Sequence, residues 1–273
     1  MLIPGPRIID EEKATKKLNE IINSLNDMSM INRVSEYINP DGTVSLENLF
    51  NTATVLAFSD CSKPVPEAAQ EYVVNVFLDE IELDNIDAML NLGVLYYSGR
   101  IGEQNYELAV KYYQMAYNYG SVIAAENLGY CYYYGGAVDV DYEKAYHYFI
   151  KAAMLGRTEA IYKIGDMYAK GLYVEKDECF AFEMYEKALK EMDDECDVKG
   201  DVFLRMGNSY YYGSGTERNI HTALLFYQHA EYNYYQQIKN GDFCKKKMLD
   251  SAIEKIDQIR EELQKKNELM SVC

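Results

Sequence analysis

The sequence contains no tryptophan, only five prolines in 273 residues, and no regularly spaced cysteines. Few prolines favour a mainly helical chain, because proline breaks helix interiors. The six cysteines lack CxxC spacing, which argues against a zinc knuckle and predicts free thiols in a reducing compartment. No apolar run approaches the ~18 residues of a membrane span, and no secretory signal is recognisable at the start. We therefore predict a cytoplasmic protein without a membrane partner.

Positive charge is also scarce, since 27 Lys and Arg residues stand against 44 Asp and Glu residues, a net charge of −17. Phosphate backbones and anionic lipid surfaces attract basic proteins, so this balance predicts no binding to nucleic acid or to a membrane surface. Hydrophobic residues make up 48% of the chain, which is ample for a packed core and argues against a disordered chain.

Tyrosine, by contrast, is abundant, with 27 residues, and most of them belong to a pattern that occurs four times. The pattern is anchored by a glycine that recurs at Gly93, Gly129, Gly165 and Gly207. In each copy a tyrosine, a second glycine and an alanine follow at constant offsets, and then a pair of large residues: Tyr112-Tyr113, Tyr148-Phe149, Met184-Tyr185 and Phe226-Tyr227. Such a repeat predicts a helix, a glycine-containing loop and a second helix in each unit. The second helices are predicted to begin at the N-cap residues Asn105, Asp141, Asp177 and Asn219.

A glycine inside the first helix of each unit costs about 1 kcal/mol of helix propensity, so its recurrence needs a physical reason. We predict that Gly129 and Ala145 are the small partners of a close contact between the two helices. Tyr132 and Tyr148 are the large residues predicted beside them. Because one such unit cannot cover its own apolar face, neighbouring units are expected to stack.

The most regular copy carries a register of matched positions: Ala125, Leu128, Gly129, Tyr132, Gly135, Val138, Asp141, Lys144, Ala145, Tyr148, Phe149, Lys151, Ala152, Ala153 and Gly156. This register resembles the Sel-1-like repeat, a relative of the tetratricopeptide repeat, and the resemblance covers residues 86 to 235 in four copies. The resemblance implies an all-α fold, a right-handed α-solenoid of antiparallel helix pairs stacked into a superhelix. It also implies an adaptor or scaffold in protein complexes, and no cofactor is predicted.

The extent of the repeat register divides the chain into three segments. Residues 1–85 lie before it and are predicted to form an N-terminal helical cap, residues 86–240 hold the four repeats, and residues 241–273 form a C-terminal capping helix and tail. The last segment has an apolar stripe spaced by three and four residues, formed by Leu249, Ala252, Ile256, Ile259 and Leu263. This stripe is typical of a helix that covers the last repeat, and a homodimer contact through it is the alternative.

In arrays of the tetratricopeptide type, the first helices line the concave surface. Opposite the packed stripe of these helices lie the candidate peptide-binding residues: Asn91, Asn127, Tyr130, Tyr134, Lys163, Asp166, Lys170, Arg205, Asn208 and Tyr212. Asparagine can bond a peptide backbone, lysine and arginine can hold a carboxylate, and tyrosine supplies rigid contact area. We therefore predict a protein or peptide partner bound in this groove.

Catalysis has little support in the sequence. The three histidines, His147, His221 and His229, have no acidic, thiol or metal-ligand partner at a telling spacing, and GxSxG and HExxH motifs are absent. We therefore predict a protein that is not an enzyme and binds no metal. A Sel-1-like hydrolase acting on β-lactam or cell-wall-related substrates is kept as an alternative. The family members described in that role carry a regular cysteine pair in each repeat, which this sequence lacks.

Overall fold

The computed structural model of the protein describes residues 10–60, 63–136, 138–193, 196–239 and 242–271. Cys61 and Cys273, and the predicted segment boundary at residues 240 and 241, lie outside these ranges. Within the ranges the chain forms thirteen α-helices and one short 3-10 helix, and it forms no strand. Its internal contacts divide it into two compact units, residues 1–140 and residues 141–273.

The helices of the first unit are α1 (Glu11–Ser24), α2 (Met28–Ser35), α3 (Leu46–Phe58), α4 (Glu67–Glu82), α5 (Ile86–Ser98), α6 (Tyr106–Asn118) and α7 (Val122–Tyr134). The helices of the second unit are α8 (Tyr142–Ala153), α9 (Thr158–Lys170), α10 (Glu178–Glu191), α11 (Lys199–Tyr212), α12 (Ile220–Lys239) and α13 (Lys246–Ser271). The 3-10 helix, Phe243–Lys245, lies between α12 and α13.

The four predicted N-caps are confirmed, and each begins the second helix of its repeat. The side-chain oxygen of Asn105 accepts from the Leu108 amide at 3.0 Å. Asp141 and Asp177 accept in the same way from the amides three residues later, at 3.0 Å and 2.9 Å. Asn219 accepts from two amides of α12, each at 3.1 Å. Because the cap satisfies backbone donors that would otherwise be unpaired, these four positions set where α6, α8, α10 and α12 start.

The recurring glycines allow tyrosine rings to approach the helix backbone. In the first unit, a Cβ on Gly93 would lie 2.5 Å from Cδ1 of Tyr113, which is closer than real Cβ contacts come. In the second unit, the rings of Tyr185 and Tyr227 lie against Gly165 and Gly207 in the same way, 2.7 Å and 2.8 Å from where a Cβ would be. At these three repeats the glycine is therefore the small partner of a close contact between helices, the role predicted for Gly129, but the large partner is not the equivalent of Tyr132 or Tyr148. The ring is that of the second residue of each large pair.

The remaining case, Gly129 with Ala145, Tyr132 and Tyr148, stays a prediction. Gly129 and Tyr132 belong to the first compact unit, whereas Ala145 and Tyr148 belong to the second. Both small residues are buried.

The contacts within the first repeat show an antiparallel helix pair. Tyr96 of α5 stacks on Tyr112 of α6, with ring centroids 5.8 Å apart, while Tyr97 meets Tyr106 at 5.1 Å. A later residue on the first helix thus contacts an earlier residue on the second helix, as an antiparallel hairpin requires. The predicted fold class, an all-α solenoid of antiparallel helix pairs, is confirmed.

Helix α13 packs on α12 through the stripe noted in the sequence. Ala252, Ile256 and Ile259 are buried, Ile256 and Ile259 in one cluster with Tyr227, and Ala252 in another with Tyr234. The apolar stripe that a dimer contact would use is therefore already covered within the second unit.

In the first unit, Arg100 connects the first repeat to the segment between α3 and α4. Its guanidinium donates to the carbonyl oxygens of Ala57, Asp60 and Lys63 at 2.6–2.9 Å. Its own carbonyl oxygen accepts from the Val65 amide at 2.8 Å. One side chain thus bonds three carbonyl oxygens at the end of α3 and just after it, where helix carbonyls lack intrahelical partners.

Candidate functional site

The predicted groove residues fall into two groups, one in each compact unit. In the first unit, Asn91, Asn127 and Tyr130 are half-buried and Tyr134 is 58% exposed. The Tyr130 and Tyr134 rings stack almost in parallel, with centroids 6.1 Å apart. This places a rigid aromatic surface at the end of α7.

In the second unit the predicted residues divide by depth. Lys170 and Tyr212 are exposed, and Arg205 and Asn208 are half-buried. Lys163 and Asp166 depart from the expected exposed stripe, because each is only 4% exposed. Neither side chain therefore lies on the exposed surface of its helix, and both influence such a site through their charges and their neighbours.

The main ion pair of the second unit joins Asp166 of α9 to Arg205 of α11. Nε and Nη2 of Arg205 donate to the two carboxylate oxygens at 3.0 Å and 2.9 Å, which is the bidentate geometry of a strong pair. The hydroxyl of Tyr185 donates to the same carboxylate at 3.0 Å. Burial alone would raise the pKa of Asp166, but the adjacent guanidinium overrides this effect and holds the pKa below its ordinary value.

A second buried carboxylate, Asp201, continues this network toward the C-terminal segment. It accepts from the hydroxyl of Tyr234 at 3.1 Å and from Nζ of Lys245 at 2.7 Å, and Nη1 of Arg205 lies 3.7 Å away. Lys245 belongs to the 3-10 helix, so this contact fixes that helix to α11. The guanidinium of Arg205 also lies over the Tyr162 ring, 5.2 Å from its centroid.

In the second unit, the tyrosines that lie on glycines also share a hydrogen-bonding pattern. Tyr185, which covers Gly165, donates to Asp166, and Tyr227, which covers Gly207, donates to Asn208 at 2.8 Å. A further pair outside the predicted register repeats the arrangement. Tyr234 covers Gly200 and donates to Asp201. In each case the acceptor directly follows the glycine, so Gly-Asp or Gly-Asn is the sequence signal for a buried hydroxyl partner.

Lys163 gives the network a pH dependence. Burial lowers the pKa of Lys163 to about 8, although Asp166, whose carboxylate is 3.9 Å away, acts in the opposite direction. An unfolded lysine titrates near 10.4, so above pH 8 the unfolded chain binds more protons here than the folded one. The charge on Lys163 therefore opposes folding at neutral pH, and this cost fades as the pH rises from about 8 to about 10.

We expect the free energy of unfolding of the wild type to rise by about 1 kcal/mol relative to that of Lys163→Met between pH 7.5 and pH 9. Urea denaturation of both proteins at the two pH values measures this difference. The comparison cancels other titrations that both proteins share, such as Cys131, whose pKa burial raises to about 12. Lys187→Met, at an exposed position on α10, is the control and should follow the wild type. Equal pH dependence in wild type and Lys163→Met would contradict the prediction.

A cavity of about 370 Å³ lies between α9, α10 and α11 and includes five of the six groove residues predicted for this unit. The predicted residues that line it are Asp166, Lys170, Arg205, Asn208 and Tyr212. Glu178, Tyr185, Ser209 and Ser214 also line it, and none of these four was a predicted site residue. The sequence reasoning missed them because it considered only one stripe of each first helix, whereas α10 and the loop after α11 also form walls.

The described residues contain no group of His, Cys, Asp and Glu side chains arranged to hold a metal ion. Nor does any helix among them have the length and apolar character required to cross a membrane. His147, His221 and His229 are all exposed. Cys131, Cys179, Cys196 and Cys244 are free thiols.

Comparison with known proteins agrees with the observed architecture. The Sel1 repeat family matches residues 86–121, 122–156, 158–191 and 204–231. The chain is similar to a Sel1 repeat protein from Oxalobacter formigenes, with 18% identity and a TM-score of 0.61 over 90% of this chain and 99% of that one. No curated protein sequence matches it.

A second similar structure is that of a protective antigen of uropathogenic Escherichia coli strains displaying an SLR fold. The identity is 17% and the TM-score 0.53, and the match covers 92% of this chain and 56% of the antigen. At these identities the likeness concerns the fold alone. The family match and the repeated glycine contacts together identify the protein by class: the chain belongs to the Sel1 repeat family, and its four repeats lie between residues 86 and 231.

Proposed function

We propose that this protein is a cytoplasmic adaptor that binds a protein partner through the exposed side chains of its first-helix stripe. Sel1 repeat proteins generally mediate protein–protein interactions, and the family is typically a non-catalytic scaffold. The cysteines lack paired spacing, which favours free thiols and therefore a reducing compartment such as the cytoplasm. The observation that carries the proposal is the cavity of the second unit, where residues from α9 and α11 that are far apart in sequence line one recess.

Within that recess the residues have different roles. Lys170 and Tyr212 are exposed and would contact the partner directly, with Tyr212 contributing rigid contact area at 59% exposure. Arg205 and Asn208 are half-buried and would contact a group that enters the cavity. Asp166 would hold Arg205 in place through its two hydrogen bonds, and Lys163, 3.9 Å from the same carboxylate, adds to the positive charge around it. In the first unit, the stacked Tyr130 and Tyr134 offer a second contact surface, with Asn91 and Asn127 on the same stripe of their helices.

The test uses affinity capture of partners from native cytosol, followed by measurement of the affinity of the purified partner. Lys170→Glu reverses a charge at the cavity, and we expect it to weaken binding about tenfold, since loss of a charge-assisted contact costs about 1.5–3 kcal/mol. Lys187→Glu makes the same charge change on α10, where Lys187 pairs with Glu191 and does not line the cavity, and it should bind like the wild type. If both variants bind as the wild type does, the partner does not use this site.

A further inference from the structure

The cavity between α9, α10 and α11 has two carboxylates in its lining, and both already have cationic partners. Asp166 receives two hydrogen bonds from Arg205 and one from Tyr185. Glu178 forms an ion pair with Lys176 at 2.7 Å. Neither carboxylate is therefore well placed to hold a positively charged ligand group.

Hydrogen-bond donors in the same lining do not have such partners. Ser209 is only 5% exposed, lines the cavity, and its hydroxyl makes no hydrogen bond to the part of the chain that the structure describes. Buried polar side chains in native proteins are satisfied in the large majority of cases. The Ser209 oxygen is not among the fully buried side-chain atoms that lack a partner, so it is reached from the cavity, and a ligand atom or solvent can bond it there.

In two neighbouring side chains, Asn208 and Tyr212, the oxygen already accepts a hydrogen bond, so their N–H and O–H donors are left for a ligand. The Asn208 side-chain oxygen accepts from Tyr227 at 2.8 Å, which leaves its NH2 group, with two donors, to the other side. The Tyr212 oxygen accepts from Nζ of Lys255 at 2.8 Å, so the Tyr212 hydroxyl proton remains to be donated. Neither donor has a hydrogen-bond acceptor among the described residues.

The charges at the cavity act in the same direction as these donors. Arg205 lines it but is paired with Asp166, and Glu178 is paired with Lys176, so Lys170 is the lining cation whose charge favours an anion there. Three uncharged donor groups and Lys170 therefore line a space of about 370 Å³ in which both carboxylates already have cationic partners. Lys170 and Tyr212 are exposed, so the rest of a longer ligand can leave the cavity beside them.

We propose that the Asn208, Ser209 and Tyr212 donors, together with Lys170, bind a carboxylate group of a peptide in this cavity. This inference rests on the proposed function and specifies its ligand. The carboxylate would be that of a C-terminus or of an acidic side chain, and the experiment separates these two sources.

The test titrates the full-length ¹⁵N-labelled protein at pH 7 with four probes and follows the amide signals of Asn208 and Ser209. The probes are N-acetyl-Gly-Gly as the free acid, the same dipeptide as its C-terminal amide, N-acetyl-Glu-Gly amide, and inorganic phosphate. We expect the free acid or the glutamyl peptide to bind roughly tenfold or more tightly than the neutral amide. The tighter of the two identifies the source of the carboxylate. Equal binding of the neutral amide, no binding of either carboxylate peptide, or phosphate binding as tightly as both would overturn the proposal.

Asn208→Asp is the decisive variant, because its carboxylate can still accept from Tyr227 but places a negative charge where the donors were. We expect it to weaken binding of the carboxylate probe about tenfold, and Ser209→Ala, which removes only one hydroxyl, to weaken it severalfold. Asn118→Asp makes the same change at an exposed position on α6 and should leave binding unchanged. If Asn208→Asp and Ser209→Ala both bind as the wild type does, the cavity assignment is wrong. Because the probes include no partner protein, their failure leaves the adaptor proposal to its own test.

Discussion

Replacing Arg205 with alanine is expected to lower the free energy of unfolding by about 3–5 kcal/mol. The substitution would leave the Asp166 carboxylate, whose side chain is 5% exposed, without its bidentate partner. It would also remove the guanidinium from the Tyr162 ring and from the neighbourhood of Asp201. Urea denaturation followed by circular dichroism measures the loss.

Arg218 supplies the matched control for this prediction. It too binds a carboxylate through two hydrogen bonds, to the Glu262 oxygens at 2.8 Å and 2.9 Å. The two side chains of that pair are 50% and 40% exposed, so water screens their interaction. We expect Arg218→Ala to cost less than about 1 kcal/mol. Equal losses in the two variants would show that burial does not determine the strength of these pairs.

Replacing Gly93 with alanine is expected to destabilise the first unit by about 2 kcal/mol. The new Cβ would lie 2.5 Å from Cδ1 of Tyr113, a ring that is only 3% exposed and has little room to move. Overpacking a core costs up to about 3 kcal/mol, while alanine returns about 1 kcal/mol of helix propensity. Chemical denaturation of the full chain, with a probe for the first unit such as amide exchange, measures the difference.

The Tyr113→Leu background tests whether the ring is the cause. Leucine lacks the ring atoms that the new Cβ would approach, so in this background Gly93→Ala should be neutral or stabilising by up to about 1 kcal/mol. The interaction energy of the double-mutant cycle is then about 2–3 kcal/mol. An unchanged cost of Gly93→Ala in both backgrounds would mean that the helix, and not the ring contact, determines the need for glycine.

The repeat register and the helix starts could be predicted because local rules determine them. Asn105, Asp141, Asp177 and Asn219 cap helices by bonding amides two or three residues away, so no tertiary information is needed. The recurring glycine was also informative, since its propensity cost requires compensation by packing. What the register did not reveal was which ring lies on each glycine, because that depends on the relative shift of two helices.

The candidate site was predicted less completely. A helical stripe opposite the core was expected to face a partner, yet Lys163 and Asp166 on that stripe are buried. The reason lies in other elements: Tyr185 of α10 and Arg205 of α11 both reach Asp166 and cover it. Ser209 was missed because it carries no charge or aromatic ring that would single it out in the sequence. Its role as a candidate donor follows only from its position in the cavity lining.

The C-terminal part of the repeat array shows a second limit of prediction from the repeat pattern. Helix α12 continues to Lys239, and its Tyr234 lies on Gly200. This glycine lies seven residues before Gly207, the anchor glycine of the fourth repeat. The four-copy pattern contains no such position, so comparison between repeats could not indicate it. The Gly200-Asp201 dipeptide was the available signal, once the rule for buried hydroxyl partners was known.

The two glycine contacts between α11 and α12 also constrain how this hairpin can change over evolutionary time. Gly200 with Tyr234 and Gly207 with Tyr227 are separated by seven residues on each helix, so they match only when both helices keep their length between these points. A single residue inserted or deleted there would rotate one contact by about 100° away from its partner. This hairpin can therefore diverge by substitution but not by a change in the number of residues between its two contacts.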